Sequence, residues 1–285
     1  LKSKIKKADI ISFDVFDTLI LRRVADPKDV FSIIGQKLGV LNYKLKREFA
    51  ERVARSKKIG VEITLADICR QVYEIYGIDE NLAYKLEIET EIELCTANKF
   101  FSDVFKLEEL KDKHVIAVSD MYLPSEFIQQ LITRCGFNIS EVYVSCEYGC
   151  TKADGGLWNI LRNKFKGRKI FHIGDNYNAD MKACGAAGIK YYGVPNLNWM
   201  LSPYRECGVK SSVISLYSAQ INALHTIKQI PSLYYYHGYV YGGILTYGFC
   251  KWLDGLAKII NLICFCLQHV IVKLYMKFIK IIFPQ

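Results

Sequence analysis

The chain has 285 residues, enough for a substantial core and for more than one unit, and 51% hydrophobic content with six prolines excludes a disordered polymer. Its formal charge of +9 gathers at the ends: Lys2, Lys4, Lys6 and Lys7 open the sequence, and beyond residue 200 eight Lys/Arg face two acids. No recognition-module pattern accompanies this charge, so no nucleic acid is expected as a partner; an anionic membrane surface or a phosphorylated substrate suits it better. The ten cysteines show neither zinc-site pairing nor the density of a disulfide scaffold. Reduced thiols in a cytoplasmic protein are the expectation, and the first residues show no signal peptide.

Residues 8–15 form an apolar run predicted as a core strand, with Asp14 at its end, and 21–26 is a loop leading out of it. From 27 to 110 the texture changes. DPKDVFSIIGQKLG, NYKLKREFAERVARSKK, TLADICRQVYEIYG and DENLAYKLEIETEIELCT each carry apolar residues three and four apart, which predicts four helices. Thr64 and Asp67 mark a capped start for the third. Beyond them the sequence predicts a strand at 114–120, a helix at 125–136, a strand at 141–149 and a helix at 155–166. A strand at 169–176, a helix at 178–188, a strand at 189–194 and a helix at 212–227 follow. This rhythm is that of an α/β protein with a parallel sheet built from right-handed crossovers. The expected units are a core (1–22 and 111–200), an all-helical insert or cap (23–110) and a C-terminal helical extension (201–285).

Parallel strands deliver the residues at their carboxyl ends to one crevice. Asp14, Ser119, the loop reaching Lys152, and Asp175 with Asp180 all fall there. Carboxylates beside a lysine and a hydroxyl repel one another unless a hard cation joins them, and Mg²⁺ prefers such oxygen ligands. The reaction suited to the set is attack on phosphorus by Asp14, with Ser119, Lys152 and the backbone amides after Asp14 holding the transferring oxygens. Taken singly, each residue also has an ordinary explanation. Asp14, Ser119, Asp175 and Asp180 could cap turns or helices, and Lys152 could be a solvated surface charge.

FDVFDTL (13–19), VSD (118–120), TK (151–152) and IGDNYNAD (173–180), in that order, resemble the haloacid dehalogenase-like hydrolase superfamily. The resemblance covers about residues 8–195 and implies a Rossmann-like core with a helical cap inserted after the first motif. It implies Mg²⁺ as cofactor, a covalent aspartyl intermediate, and small phosphorylated metabolites as substrates, sugar phosphates among them. By position, Asp14 is the nucleophile, Ser119 the phosphate-binding hydroxyl, and Lys152 the charge that orients both. Asp175 is a metal ligand, Asp180 a ligand or the support of one, and the carbonyl of Phe16 completes the metal sphere.

The family's phosphatases carry an acid two residues after the nucleophile; here that position is Phe16, and the nearest acid is Asp17. Dehalogenases have an aromatic residue at this point. They use no metal, however, and Asp175 and Asp180 would then repel Asp14 with no cation to offset them. Phosphotransfer therefore leads, with Asp17 able to replace the missing acid if the loop bulges. Metal-independent dehalogenation and a weakly catalytic phosphoryl-binding module are the alternatives. Arg22 and Arg23 could meet a second phosphate or be surface arginines; Tyr122 suits a packed loop aromatic better than a stacking surface, and His172 a core histidine better than a ligand.

HGYVYGGILTYGFCKWLDG (237–255) resembles the linker of larger bacterial proteins that join such a hydrolase to a second domain and are encoded with polysaccharide or surface-glycan synthesis. The apolar ending then reads as a remnant of that domain. Its run 259–272 is too short and too polar to span a bilayer. With Lys273, Lys277 and Lys280 it suits oligomerisation or contact with a membrane surface, which would make the protein peripheral to the membrane.

Overall fold

A computed structural model describes residues 1–196, 211–224 and 232–259, together with Lys273. Contacts divide the chain into two units, Leu1–Thr226 and Ile227–Gln285. The first is α/β and Rossmann-like. Its sheet consists of β1 (Ile10–Phe13), β4 (His114–Ser119), β5 (Glu141–Val144), β6 (Ile170–Gly174) and β7 (Lys190–Gly193), all parallel, in the order β5-β4-β1-β6-β7. From β1 the chain builds outward through β4 to β5, then returns to the other side of β1 for β6. That reversal opens a crevice beside the carboxyl end of β1.

Register sets what the crevice receives. Phe13 lies level with Ala117 of β4 and Ile173 of β6, so the residues just beyond each strand emerge together. β1 is central and buried along its whole length, which is why it reads as a continuous apolar run rather than an alternating one. Helices α8 (Ser125–Arg134) and α10 (Gly156–Lys164) turn apolar faces inward, the first through Phe127, Ile128, Leu131 and Ile132, the second through Leu157, Trp158 and Leu161.

The insert consists of α2 (Asp29–Leu38), α3 (Tyr43–Lys57), α4 (Leu65–Tyr76) and α5 (Glu80–Leu94), close to the four predicted helices. Thr64 and Asp67 cap α4 reciprocally, with Asp67 N donating to Thr64 Oγ1 at 3.2 Å and Thr64 N to Asp67 Oδ2 at 2.9 Å. The buried stripe of α5 departs from the apolar pattern expected of it: it holds Glu87, Thr90 and Glu91 beside Ala83 and Leu94. Glu87 meets the buried Arg47 in a two-pronged pair, 2.8 Å at Nε and 2.7 Å at Nη2.

Four sequence expectations are corrected. The loop assigned to 21–26 begins as a strand, β2 (Ile20–Arg22), paired antiparallel with β3 (Cys95–Ala97), so a two-stranded ribbon carries the helical insert. The strand assigned to 141–149 stops at Val144, and Ser145–Tyr148 form a helical turn, α9. The stretch grouped with the insert up to residue 110 leaves it after β3: α6 (Lys99–Val104) and the turn behind it pack on the core, with Phe101 edge-on to Phe13 at 5.7 Å and Phe105 tilted against it at 5.2 Å. The helix Ser212–Leu224, grouped with the C-terminal extension, belongs to the first unit, its Ser215 Oγ accepting from Ala25 N at 2.9 Å.

The second unit is helical where described: Leu233–His237 continues through a π-helical turn, Gly238–Gly242, into Gly243–Ile259. Among the described residues no helix is long and apolar enough to cross a membrane. The segment 260–272 and Lys277 and Lys280, expected to meet a membrane or another subunit, lie outside the described residues.

Because Arg47 and Glu87 are both fully buried, removing one charge strands the other. Glu87→Gln should lower unfolding free energy by about 3–5 kcal/mol in chemical denaturation. Glu51→Gln, at a partly exposed partner of the same arginine, should cost less than about 1 kcal/mol.

Candidate active site

Asp14 directly follows β1, and its N–H extends the ladder to Ile173 O at 2.8 Å, which fixes the backbone from which its carboxylate projects. Lys152, on the loop after α9, is only 2% exposed, so it is not a solvated surface charge. Its ammonium lies between two carboxylates, 2.5 Å from Asp14 Oδ1 and 2.6 Å from Asp180 Oδ1. The loop is held by Asp120, whose carboxylate accepts from Lys152 N at 2.7 Å and from Ala153 N at 3.3 Å. A residue at the end of β4 thereby positions a charge that the next crossover delivers.

Asp175 follows β6, and Asp180 lies one helical turn on, in a π-helical segment Tyr177–Ala183 where an ordinary α-helix was expected. Asn176 caps that segment through Asn178 N and Ala179 N. Asp180 Oδ2 accepts from Asn176 N at 3.0 Å, and a Cβ on Gly174 would collide with the Asp180 side chain. The glycine is there for space: its missing side chain is where Asp180 sits. Asp175 accepts from Thr18 Oγ1 at 3.3 Å and from Asn196 Nδ2 at 2.6 Å.

Asp14, Asp175 and Asp180 each offer an oxygen within 4.8 Å of the others. Burial pushes the Asp14 carboxyl well up, against the pull of Lys152, and pushes Asp175 up to about 6, with the charge of Asp17 next in importance. Asp180 is held low despite its burial because Lys152 and His172 face it. Two carboxyls of a three-acid cluster thus resist ionisation with one lysine present. A hard cation among them would remove that resistance, so this donor set suits one.

Ser119 ends β4 and is buried, level with Val144 of β5. Asp17 has a left-handed backbone (φ 59°), its N–H donating to Ile20 O at 2.8 Å, so the loop turns sharply after Phe16. Phe16 is half-buried under the guanidinium of Arg22, 3.9 Å from its ring centre. Arg22 in turn bonds both oxygens of Glu91, at 2.9 and 3.2 Å, all of it buried. Arg22 is therefore neither a surface arginine nor available to a second phosphate, while Arg23 is exposed. Tyr122 is a packed loop aromatic, with Arg47 above its ring at 5.0 Å and its carbonyl accepting from Leu65 N at 2.8 Å.

His172 is a core residue, as expected, and it also contacts the site. Nδ1 lies 2.9 Å from Ser12 Oγ and Nε2 3.2 Å from Asp180 Oδ1. Burial pushes its pKa down, against the pull of Asp180. The sequence pass also missed the supporting parts played by Thr18, Asp120 and Asn196. Only Asp120, adjacent to Ser119 at a strand end, carried a positional signal.

No protein-family model matches the chain, and no curated protein matches it. The solved structures that it resembles are haloacid dehalogenase-like hydrolases. One is the HAD-hydrolase YfnB from Bacillus subtilis bound to magnesium, at 14% identity over 65% of this chain and 87% of that one, with a TM-score of 0.45. Another is a predicted phosphoglycolate phosphatase from Haemophilus somnus, at 14% identity, 65% and 84% coverage, and a TM-score of 0.44. A third is the L-2-haloacid dehalogenase from Xanthobacter autotrophicus, at 12% identity, 73% and 86% coverage, and a TM-score of 0.48. Phosphatases and dehalogenases stand side by side among them, so the likeness chooses no reaction.

The site predicts a pH-dependent response to cations. Folded, Asp175 keeps its proton to about pH 6, whereas its ordinary value is 3.8. The folded state holds the extra proton between these limits, so cation-free stability falls as pH rises through them, by at most about 3 kcal/mol. Millimolar MgCl₂ should raise the melting temperature more at about pH 7.5 than at about pH 5. Asp175→Asn should flatten that difference.

Proposed function

We propose that this protein is a Mg²⁺-dependent phosphohydrolase of the haloacid dehalogenase-like superfamily, acting on a small phosphorylated metabolite through an aspartyl-phosphate on Asp14. One observation carries the proposal: three carboxylates lie within 4.8 Å of one another with Lys152 as the charge between them. Hydrolysis of a carbon–halogen bond has no use for Asp175 or Asp180 and would leave their repulsion in place.

Asp14 attacks phosphorus in line, with the oxygen that Lys152 does not hold. The bond from phosphorus to the leaving oxygen breaks as the Asp14–phosphorus bond forms, and water attacking the same phosphorus then releases phosphate and restores Asp14. Lys152 opposes the burial that pushes the Asp14 carboxyl up, and faces the phosphoryl oxygens, to which the Ser119 hydroxyl donates. Asp14, Asp175 and the Phe16 carbonyl, with Asp180 in support, would hold Mg²⁺, which would supply charge neutralisation at the nucleophile and the phosphoryl group. Asp17 is the group proposed to protonate the leaving oxygen in place of Phe16.

Phosphate release from a panel of phosphorylated metabolites should require Mg²⁺ and fall by about 10³-fold or more in Asp14→Asn. Ser119→Ala should cost about 10²-fold. Halide release from a 2-haloacid without metal would overturn the proposal, and saturable phosphate binding without turnover would favour the binding module.

Asp17→Asn keeps a residue that tolerates left-handed backbone but removes the acid. Its kcat should fall by about 10²-fold or more on alkyl phosphates and hardly at all on aryl phosphates, whose leaving oxygen needs no proton. Equal losses on both would remove Asp17 from the acid role.

A further inference from the structure

A second concave site lies at the opposite end of the sheet. It is a cavity of about 800 Å³ at the amino-terminal ends of β6 and β7, roofed by the first helical turn of the chain (Lys2–Lys6, α1) and the end of α10. The five residues of β6 separate it from the crevice by roughly 15 Å. Seven Lys/Arg line it, among them Lys7, Arg162, Lys166, Arg168, Lys169 and Lys190, and no acid does. None of the seven makes an ion pair among the described residues. The neighbouring Asp9 carboxylate accepts from the backbone N–H of Lys169 at 2.7 Å.

Helix ends explain only part of this. The carboxyl end of a helix carries about half a negative charge, which attracts basic residues. One full helix, α10, ends here, and α1 is a single turn. Even with Asp9 counted, at least five charges stay uncompensated, and they come from separate stretches of chain that only the fold brings together. Like charges converging on a concavity focus a positive potential into it.

Shape and lining narrow the ligand. The volume lies within the range of about 300–1,000 Å³ typical of small-molecule sites, and a concave wall does not suit a flat bilayer surface. Arg162 and Arg168 present planar forks that match pairs of phosphate oxygens, and the lysines add point charges. The half-exposed ring of Tyr191, with Ile189 and Phe165, supplies an apolar wall for an uncharged body. We propose that this cavity is a second, non-catalytic binding site for a small ligand carrying two or more phosphate groups.

The test is calorimetric titration of the full chain with ADP and with pyrophosphate, in EDTA so that the crevice holds no divalent cation. Expected are saturable binding that weakens with added salt and at least a tenfold loss of affinity in Lys166→Glu/Arg168→Glu. The separate Lys190→Glu should show a similar loss, and Asp14→Asn unchanged affinity. All three positions reversed in charge are exposed, and melting curves would show that the variants fold. Binding lost in Asp14→Asn but kept in the charge reversals would place the probe in the crevice and overturn the proposal. No saturable binding of either probe would overturn it as well. Retention by phosphatidylglycerol vesicles or single-stranded DNA, without ADP or pyrophosphate binding, would replace the small ligand with a macromolecular surface. Phosphohydrolase activity can fail or succeed independently of every one of these outcomes.

Discussion

The buried ammonium of Lys152 is the constraint around which the site is arranged. At an effective dielectric of about 20, unit charges 4 Å apart interact by about 4 kcal/mol, so three carboxylates in one cluster repel one another strongly. One lysine touching two of them offsets part of this and must itself be taken out of water. The arrangement tolerates that conflict because its backbone is over-determined. Asp14 is held by the β6 ladder, the Lys152 loop by Asp120, and Asp180 by Asn176 in the space that Gly174 leaves empty. These bonds fix the backbone from which each side chain of the cluster projects, and one of them holds the Asp180 carboxylate itself. What remains is an excess of negative charge held on a fixed backbone, a donor set suited to a hard cation.

A second set of buried charges attaches the helical insert to that site. Arg47, paired with Glu87, lies over Tyr122 just beyond the carboxyl end of β4, and Arg22, paired with Glu91, lies over Phe16 beyond the end of β1. Both acids project from one face of α5, a helical turn apart. The insert is therefore clamped at two points against loops that bear site residues. Motion of α5 would be felt at both loops.

Much of this was legible in the sequence where the pattern was local. Runs of alternating helix and strand texture located the sheet and the helical insert, and acids at strand ends singled out Asp14, Asp175 and Asp180, which the fold brings together with Lys152. Illegible were features whose cause is long-range. The β2–β3 ribbon has three residues per strand, too few for a periodic signal, and its pairing joins positions more than 70 apart. Glu87 and Glu91 look like solvent-facing helix residues until Arg47 and Arg22 arrive from other elements. The basic cavity gathers residues from the start of the chain, from 162–169 and from Lys190, stretches that only the fold brings together.

Phe16 is the place where both sets of constraints meet. An acid there would stand beneath Arg22 and compete with Glu91 for its guanidinium, leaving one buried carboxylate without its partner. Within this clamp an aromatic ring is the stable occupant, because its face accepts a cation without carrying a charge to be compensated. The acid role proposed for the next residue, Asp17, is compatible with its backbone, a left-handed turn that Asp tolerates better than most residues. After burial, the charge of Asp17 is the chief cause that pushes the Asp175 carboxyl up. Aromatic packing at Phe16 is thus compatible with acid catalysis from the neighbouring position. Phe16 has a packing role under Arg22 that is independent of which reaction the site performs.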